Sequence, residues 1–467
     1  MVNTGTVVRV LTVLVTTALA LLFTLVLLQS DKAAIAVFVL GLGVTIVFVE
    51  PFIGLLNYFV FLYVRPQEFI PGFVGLPVML LLGSMTFGFM LIHMAFKRRM
   101  LNFGPAPQNM LMVWFIIAIA MSNLAHANIA ATKFAVRGFL SPFLMYFMIV
   151  VLTSTEKKIK VALSLLVLLT AFLAGQGIYQ YFTGVGIAGQ ELFQGRIVGI
   201  GIFADPNDLA LALLMMLPLC FTEVSLPQNL FIRFVYLLCA VALAVTVFMS
   251  DSRGGILSLG MLMMVMVWRR FGWKIGIAIG VVMFVGIFVF GPSRMDTIST
   301  EEDSASARID SWSVGIDLLR THPLFGVGAH MFTEYHPKTA HNSWILCASE
   351  LGLFGYVPWI LMIYISIKNL YYISKNAVKE KHGELGRYAD GIMLGLIAFM
   401  LAATFLSRTY IEPFYILIGL SAAITTVFIQ RDGNKFELMS RRDVGIGVAL
   451  AVGTMVFFKI FLLWAWS

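Results

Sequence analysis

The chain has 467 residues, of which 60% are hydrophobic and only 12% charged, with 40 Phe and 26 Met. A soluble chain carries roughly a quarter charged residues, so a soluble globular enzyme is excluded and the chain reads as an all-α, polytopic integral membrane protein. The net charge of +8 follows from topology and attraction to anionic lipid, and it calls for no nucleic-acid partner.

Apolar runs recur from end to end, at 7–29, 33–50, 51–64, 76–96, 109–126, 134–152, 160–182, 207–224, 231–250, 254–268, 274–291, 342–369, 390–407, 410–430 and 443–465. Run 7–29 is longer than a signal-peptide core and meets no small-residue cleavage site before Gln29-Ser30-Asp31-Lys32, so it reads as a retained first helix. Runs 33–50 and 51–64 are short and meet at Glu50-Pro51, which fits a re-entrant pair; run 443–465 carries Lys459 and need not cross. The expectation is therefore 12–15 transmembrane helices. The chain divides into N-terminal helices (1–182), a central region (183–370) with a long loop at 292–341, and C-terminal helices (371–467). Cys220, Cys239 and Cys347 all fall inside apolar runs and read as buried small hydrophobes, with neither disulfide nor metal spacing.

One set of loops carries 20 of the 32 basic residues, which places that side and the N-terminus in the cytoplasm. The other side carries eight arginines against three lysines, whereas the cytoplasmic side is split evenly. Membrane insertion does not distinguish the two residue types, but oxyanion recognition does, because guanidinium is a rigid fork of donors. The plain alternative for any one arginine is snorkelling at a helix end.

Three of these arginines stand in informative company. Arg196 lies in GRIVGIGIFADPNDLA, residues 195–210, where glycines allow close backbone approach and Asp205-Pro206-Asn207-Asp208 signals a helix start. Arg253 lies in MSDSRGGILSL, residues 249–259, where pairing with Asp251 is the simpler reading. Arg308 opens RIDSWSVGIDLLRTHPLFGVG, residues 308–328, whose apolar residues at helical spacing predict an amphipathic helix outside the bilayer, capped by Ser304 or Ser306 and stopped by Pro323. The hairpins between these segments return Arg196, Arg253, Arg308 and His341 to one face.

His341 and Asn342 stand at the start of the run TAHNSWILCASELGLFGY, residues 339–356. A helix start and nearby arginines both disfavour a protonated imidazole, and a neutral imidazole at a water-accessible edge suits a general base. A capping or interfacial histidine is the plain alternative. Asn342 can orient His341 or contact a substrate hydroxyl. Glu350, nine residues on, is out of phase on a helix and about 13 Å away, so it reads as a packing group partnered elsewhere. His322, His330, His336 and His341 have spacings of 8, 6 and 5, which match no helical ligand pair, so no metal site is expected.

The series G-R-x-x-G-x-G-x-F-x-x-P-N at 195–207, S-R-G at 252–254, R-x-x-x-W…HPLFGVG at 308–328 and HNSWIL…ELGLFGY at 341–356 resembles the O-antigen ligase/polymerase superfamily. The resemblance covers roughly residues 195–360. It implies a bacterial inner-membrane glycosyltransferase of the GT-C type with a large periplasmic loop, using a glycan donor on undecaprenyl diphosphate. It implies roles for Arg253, Arg308 and His341 in catalysis and for Arg196, with Asn207 and Asn342 beside it, in substrate binding. The expected reaction is inverting transfer to an acceptor hydroxyl at the periplasmic face, with no metal or other cofactor, in lipopolysaccharide or exopolysaccharide biosynthesis. Lipid A core, a second lipid-linked repeat and a protein hydroxyl remain open as acceptors, giving ligase, polymerase or O-glycosylation ligase. A lipid-linked glycan flippase would carry charges along a mid-membrane path, and a scaffold would need no Arg/His grouping.

Overall fold

The computed structural model describes residues 43–69, 77–96, 103–290, 298–377, 383–432 and 436–465, with side chains described outside 283–306 and 432. Its helices, in chain order, are α1 (Pro51–Tyr63), α2 (Val78–Phe96), α3 (Gln108–Leu124), α4 (Ile129–Leu152), α5 (Glu156–Thr183), α6 (Pro206–Ser225), α7 (Leu230–Met249), α8 (Arg253–Phe271) and α9 (Trp273–Phe290). They continue with α10 (Ile298–Thr321), α11 (Ser343–Asn376), α12 (Gly383–Ala403), α13 (Glu412–Asp432) and α14 (Arg441–Ala465). Among the described residues ten helices are long and apolar enough to cross a membrane, and Pro51–Tyr63, Gln108–Leu124 and Trp273–Val282 are shorter apolar helices. The protein is an all-α polytopic membrane protein. Run 7–29 and residues 33–42 lie outside the described residues. Run 443–465 forms α14, which is long and apolar enough to cross despite Lys459.

Helices α6, α11, α12 and α13 form the centre, because their apolar residues go all round and are buried on every side. Helices α2, α7, α8 and α14 are apolar but largely uncovered, with Leu230, Phe231, Phe457 and Trp464 exposed, as a lipid-facing ring requires. α6 packs against α5, α7, α8 and α12, while α11 packs against α3, α10, α12, α13 and α14.

One joint organises the face that carries the long loop. α11 is two helices in line, broken at Gly352 (φ 58°, ψ −168°). The break releases backbone groups that a continuous helix would pair internally, and the segment after α10 takes them up. Val327 and Gly328 N–H donate to the Ser349 and Glu350 carbonyls (2.9 and 3.0 Å), and Leu353 and Phe354 N–H donate to Pro323 and Leu324 (2.8 and 3.0 Å). A Cβ on Gly326 would lie 2.4 Å from the Glu350 carbonyl, and one on Gly352 2.4 Å from the Leu324 oxygen. HPLFGVG and ELGLFG are thus two halves of one backbone joint. The end of α3 holds it, with Ser122 Oγ accepting from Ala329 N–H at 3.0 Å and His126 Nε2 lying 2.8 Å from the Gly326 carbonyl.

The loop helix differs from expectation at its start. α10 begins at Ile298 and runs through Ser304 and Ser306, so neither is its cap. No Gly or Pro interrupts residues 298–314, and the helix propagates upstream of the amphipathic stretch. It ends at Thr321, two residues before Pro323, as expected.

Candidate active site

Arg308 and Trp312 are one helical turn apart and share a face of α10. Trp312 Nε1–H donates to the Ala340 carbonyl at 2.9 Å, and its ring packs on Phe458 and Phe461 of α14. At Gly315 a Cβ would meet Ile345 at 2.3 Å, so α10 lies directly against the start of α11. Trp312 therefore fixes how far Arg308 stands from His341, the residue after its acceptor.

His341 is not inside α11. It precedes the N-cap and holds a left-handed backbone (φ 47°), which a non-glycine residue adopts rarely and which recurs where structure imposes a functional geometry. Asn342 is the cap: its Oδ1 accepts from Trp344 and Ile345 N–H (2.9 and 3.2 Å). That side chain is fully buried, and its Nδ2 has no partner among the described residues. Asn342 thus holds the helix start rather than the His341 ring, which makes no hydrogen bond among the described residues.

Burial is the main influence on the His341 imidazole and lowers its pKa; Arg308, Arg408 and Lys338 lower it further, and only Asp205 opposes them. The neutral state expected from the sequence is favoured, with desolvation rather than the helix dipole as its chief cause. Arg308 is half-buried and makes no hydrogen bond or ion pair among the described residues. Burial, then the neighbouring Arg253 guanidinium, lowers its pKa. Two adjacent guanidiniums, with no carboxylate among the described residues paired to Arg308, form a ready place for an anion.

Arg196 and Asn207 belong to the supporting layer. Asp205 caps α6 by accepting from Asn207 N–H (2.8 Å), with Pro206 in the first turn. Asn207 Oδ1 accepts from Arg196 Nη2 (3.3 Å) and from Ser252 Oγ (2.7 Å), while Arg196 Nε donates to the Ser250 carbonyl (3.1 Å). Ser252 is the N-cap of α8, receiving Gly255 N–H at 3.1 Å. A Cβ on Gly254 would lie 2.8 Å from Phe405, and one on Gly255 2.8 Å from Ala210. The S-R-G-G sequence thus combines a cap, the Arg253 head group and two close approaches. No ion pair joins Asp251 to Arg253 among the described residues; Asp251 instead sits in a left-handed turn (φ 52°).

Sequence motifs did not point to Arg408. Its guanidinium grips both carboxylate oxygens of Asp208, with Nη2 at 2.6 Å from Oδ2. Asp208, expected as a cap, is instead one half of this ion pair. The Arg408 N–H donates to Ser343 Oγ (2.8 Å), Ser343 Oγ donates to the Leu406 carbonyl (2.5 Å), and Thr409 Oγ1 donates to the Ser343 carbonyl (3.1 Å). The loop between α12 and α13 is thereby fastened to the residue that follows Asn342. Burial alone would lower the Arg408 pKa, but the bond to Asp208 outweighs it and raises it.

The remaining candidates are dispersed. Arg320 is exposed beside Asp317 at the far end of α10. Arg294 lies outside the described residues. His322 packs on His126, His330 on Phe134 and Tyr410, and His336 bridges Asp310 and the Lys338 backbone. Among the described residues no three His, Cys, Asp or Glu side chains are grouped as a metal site would require. Glu350 has the distant partners expected: Tyr410 Oη at 2.8 Å and Phe332 N–H at 3.3 Å.

No curated protein matches the chain. A family model described as O-antigen ligase matches residues 238–360, the stretch that contains Arg253, Arg308, the glycine joint, His341 and Asn342, and this match supports the resemblance to the O-antigen ligase/polymerase superfamily.

Proposed function

We propose that this protein is an inverting glycosyltransferase that moves a glycan from undecaprenyl diphosphate to an acceptor hydroxyl at the periplasmic face of the inner membrane. The family-model match over residues 238–360 supports an O-antigen ligase/polymerase-like function in general. The observation that carries the finer reading is half-buried Arg308, with no anionic partner among the described residues, beside a His341 imidazole biased towards neutrality.

In this reading Arg253 and Arg308 hold the diphosphate. The acceptor oxygen attacks the anomeric carbon from the face opposite the leaving group and its proton passes to the His341 imidazole. The bond from the anomeric carbon to the diphosphate oxygen breaks, and its electron pair leaves with undecaprenyl diphosphate. Charge grows on that oxygen during the step, and fixed guanidiniums stabilise it without reorganising. Arg196 and Asn207 act by holding the start of α8, and Asn342 by holding the start of α11. Transfer proceeds without a metal ion, since the guanidiniums supply the countercharge. Among the acceptors, transfer to a lipopolysaccharide core fits the S-R-G and H-N motifs best.

The test is a reconstituted system with undecaprenyl-diphosphate glycan, candidate acceptors and no added metal, reading release of undecaprenyl diphosphate from intact protein and from His341→Ala. Release that needs both an acceptor and His341 supports the reading. Movement of intact lipid-linked glycan across vesicles, with no acceptor supporting release, would replace it with a transporter.

A further inference from the structure

A cavity of about 540 Å³ lies between α1, α2 and α4, within the roughly 300–1,000 Å³ span of small-molecule sites. None of Arg253, Arg308 and His341 lines it. Tyr58 and Met148 in its wall are buried, whereas Leu80 and Leu140 are exposed, and α2 belongs to the lipid-facing ring. The mouth of the cavity therefore faces lipid.

Two guanidiniums stand in this mostly apolar wall, Arg65 just after α1 and Arg137 inside α4. The described lining holds no carboxylate. Arg137 follows Asn128, the cap of α4, by nine residues, which sets it about 13 Å along the helix from its start. An arginine at that depth is costly unless it snorkels to the interface or meets an anion. Arg137 makes no hydrogen bond or ion pair among the described residues. Arg65 is already matched: its Nε donates to Glu68 Oε1 at 2.6 Å, and Glu412 acts on it from α13. One cationic charge is thus left over. It fits a phosphodiester, with its single negative charge, better than a phosphomonoester or a diphosphate.

Two further features of the wall point to a lipid. Gln67 Oε1 is buried with no partner and calls for a donor, which a head-group hydroxyl supplies. Leu140, Leu144 and Met148 follow Arg137 along one face of α4, deeper in the bilayer, and offer an apolar wall to acyl chains.

We propose that this cavity holds one anionic glycerophospholipid, its phosphodiester on Arg137 and a head-group hydroxyl on Gln67. The site is independent of the transferase reading, because its lining includes neither the arginine pair nor His341.

The experiment uses delipidated full-length protein and native mass spectrometry, with phosphatidylglycerol, phosphatidylcholine and undecaprenyl phosphate as probes. Intact protein is compared with Arg137→Gln and Ser84→Trp. Ser84 is exposed on α2 and lines the cavity, so an indole there fills the cavity without disturbing a packed core. Unchanged melting temperatures verify that both variants fold, and each tests the site alone should the other fail to fold. One phosphatidylglycerol should be retained about fivefold more tightly than phosphatidylcholine. Either substitution should weaken that retention about tenfold or more. Equal retention of the two phospholipids, or phosphatidylglycerol retention unchanged in Arg137→Gln, would overturn the proposal. Loss in Arg137→Gln alone, with Ser84→Trp binding as intact protein does, would leave a snorkelling arginine and no site. Undecaprenyl phosphate held more tightly than phosphatidylglycerol would overturn the phospholipid as occupant and give the cavity to a single-chain carrier lipid.

Discussion

Two polar regions meet on one face of the bundle, and they are built differently. In the first, Asp205, Asn207, Arg196 and Ser252 bond to one another, and Asp208, Arg408 and Ser343 do the same across α6, the α12–α13 loop and α11. In the second, Arg308 and the His341 ring have no protein partner among the described residues, and burial disfavours the charged form of each. A satisfied network fixes the ends of helices. A charge and a lone pair left without protein partners, yet held in place by a neighbour's hydrogen bond, remain available to a ligand. The difference separates the frame of the site from its chemistry, although both are made of the same residue types.

The sharpest way to break this comparison is to mutate two adjacent residues. His341→Ala should lower the release rate by about 10²–10⁴, the usual worth of a general base. It should leave the melting temperature where it was, since the His341 ring makes no hydrogen bond among the described residues. Asn342→Ala, one residue later, removes a cap and should destabilise the protein by about 1–2 kcal/mol. Calorimetry and single-turnover assays on both variants decide the matter. A large loss of stability in His341→Ala would move that residue into the frame.

Arg308 gives the second contrast. Arg308→Lys keeps the charge but loses the fork, and should lower kcat/KM about 10²-fold. Arg308→Met removes a half-buried charge that has no anionic partner among the described residues, so the free protein should melt at the same temperature or higher. Inorganic diphosphate should stabilise intact protein and fail to stabilise Arg308→Met. A lower melting temperature in Arg308→Met would show that the guanidinium has a structural duty.

Among the described residues, most membrane-length helices and their approximate bounds were legible in the sequence because apolar runs of bilayer length are a direct physical requirement. The nearness of Arg253, Arg308 and His341 to one another was legible too, because the hairpins return their segments to one face. The roles of Arg196, Asn207 and Asn342 were less legible, because a polar side chain at a helix start reads equally as ligand contact or as cap. Arg408 was visible only as one of eight arginines on its side: its partner Asp208 is 200 residues away in sequence, and no local pattern marks a contact at that separation. The glycine joint was hidden for the same reason. Gly326 and Gly352 each read as an ordinary turn or helix glycine until the two backbones are seen to pair.

The frame can be tested through that long-range pair. Arg408→Met leaves Asp208 buried opposite an uncharged side chain and should destabilise the protein by about 2–3 kcal/mol, below the full worth of a buried pair because Arg408 is 34% exposed. Adding Asp208→Asn should recover most of the loss, since the stranded charge is then gone. Denaturant unfolding of the two single variants and the double variant measures the coupling. Independent, additive losses would mean that the pair does not hold the loop to Ser343.

The smallest expected effect concerns the titration of His341. In the proposed mechanism the rate requires the neutral ring, and its pKa lies below the ordinary value of 6.5. The profile of kcat/KM should therefore be flat at neutral pH and fall only below 6.5, as the ring takes its proton. Lys338 is exposed and is the weakest of the groups acting on the ring. Lys338→Gln should shift the acid limb slightly towards higher pH, lowering activity on the limb and leaving the plateau unchanged. Stability follows the same sign. Between the unfolded value of 6.5 and the lower folded value, the unfolded chain binds more protons at this residue. His341 thus contributes stability that is complete above that window and is lost as pH falls through it. His341→Ala should remove this component of the acid destabilisation, and a Lys338→Gln limb that moves to lower pH would contradict the assignment of His341 as the titrating base.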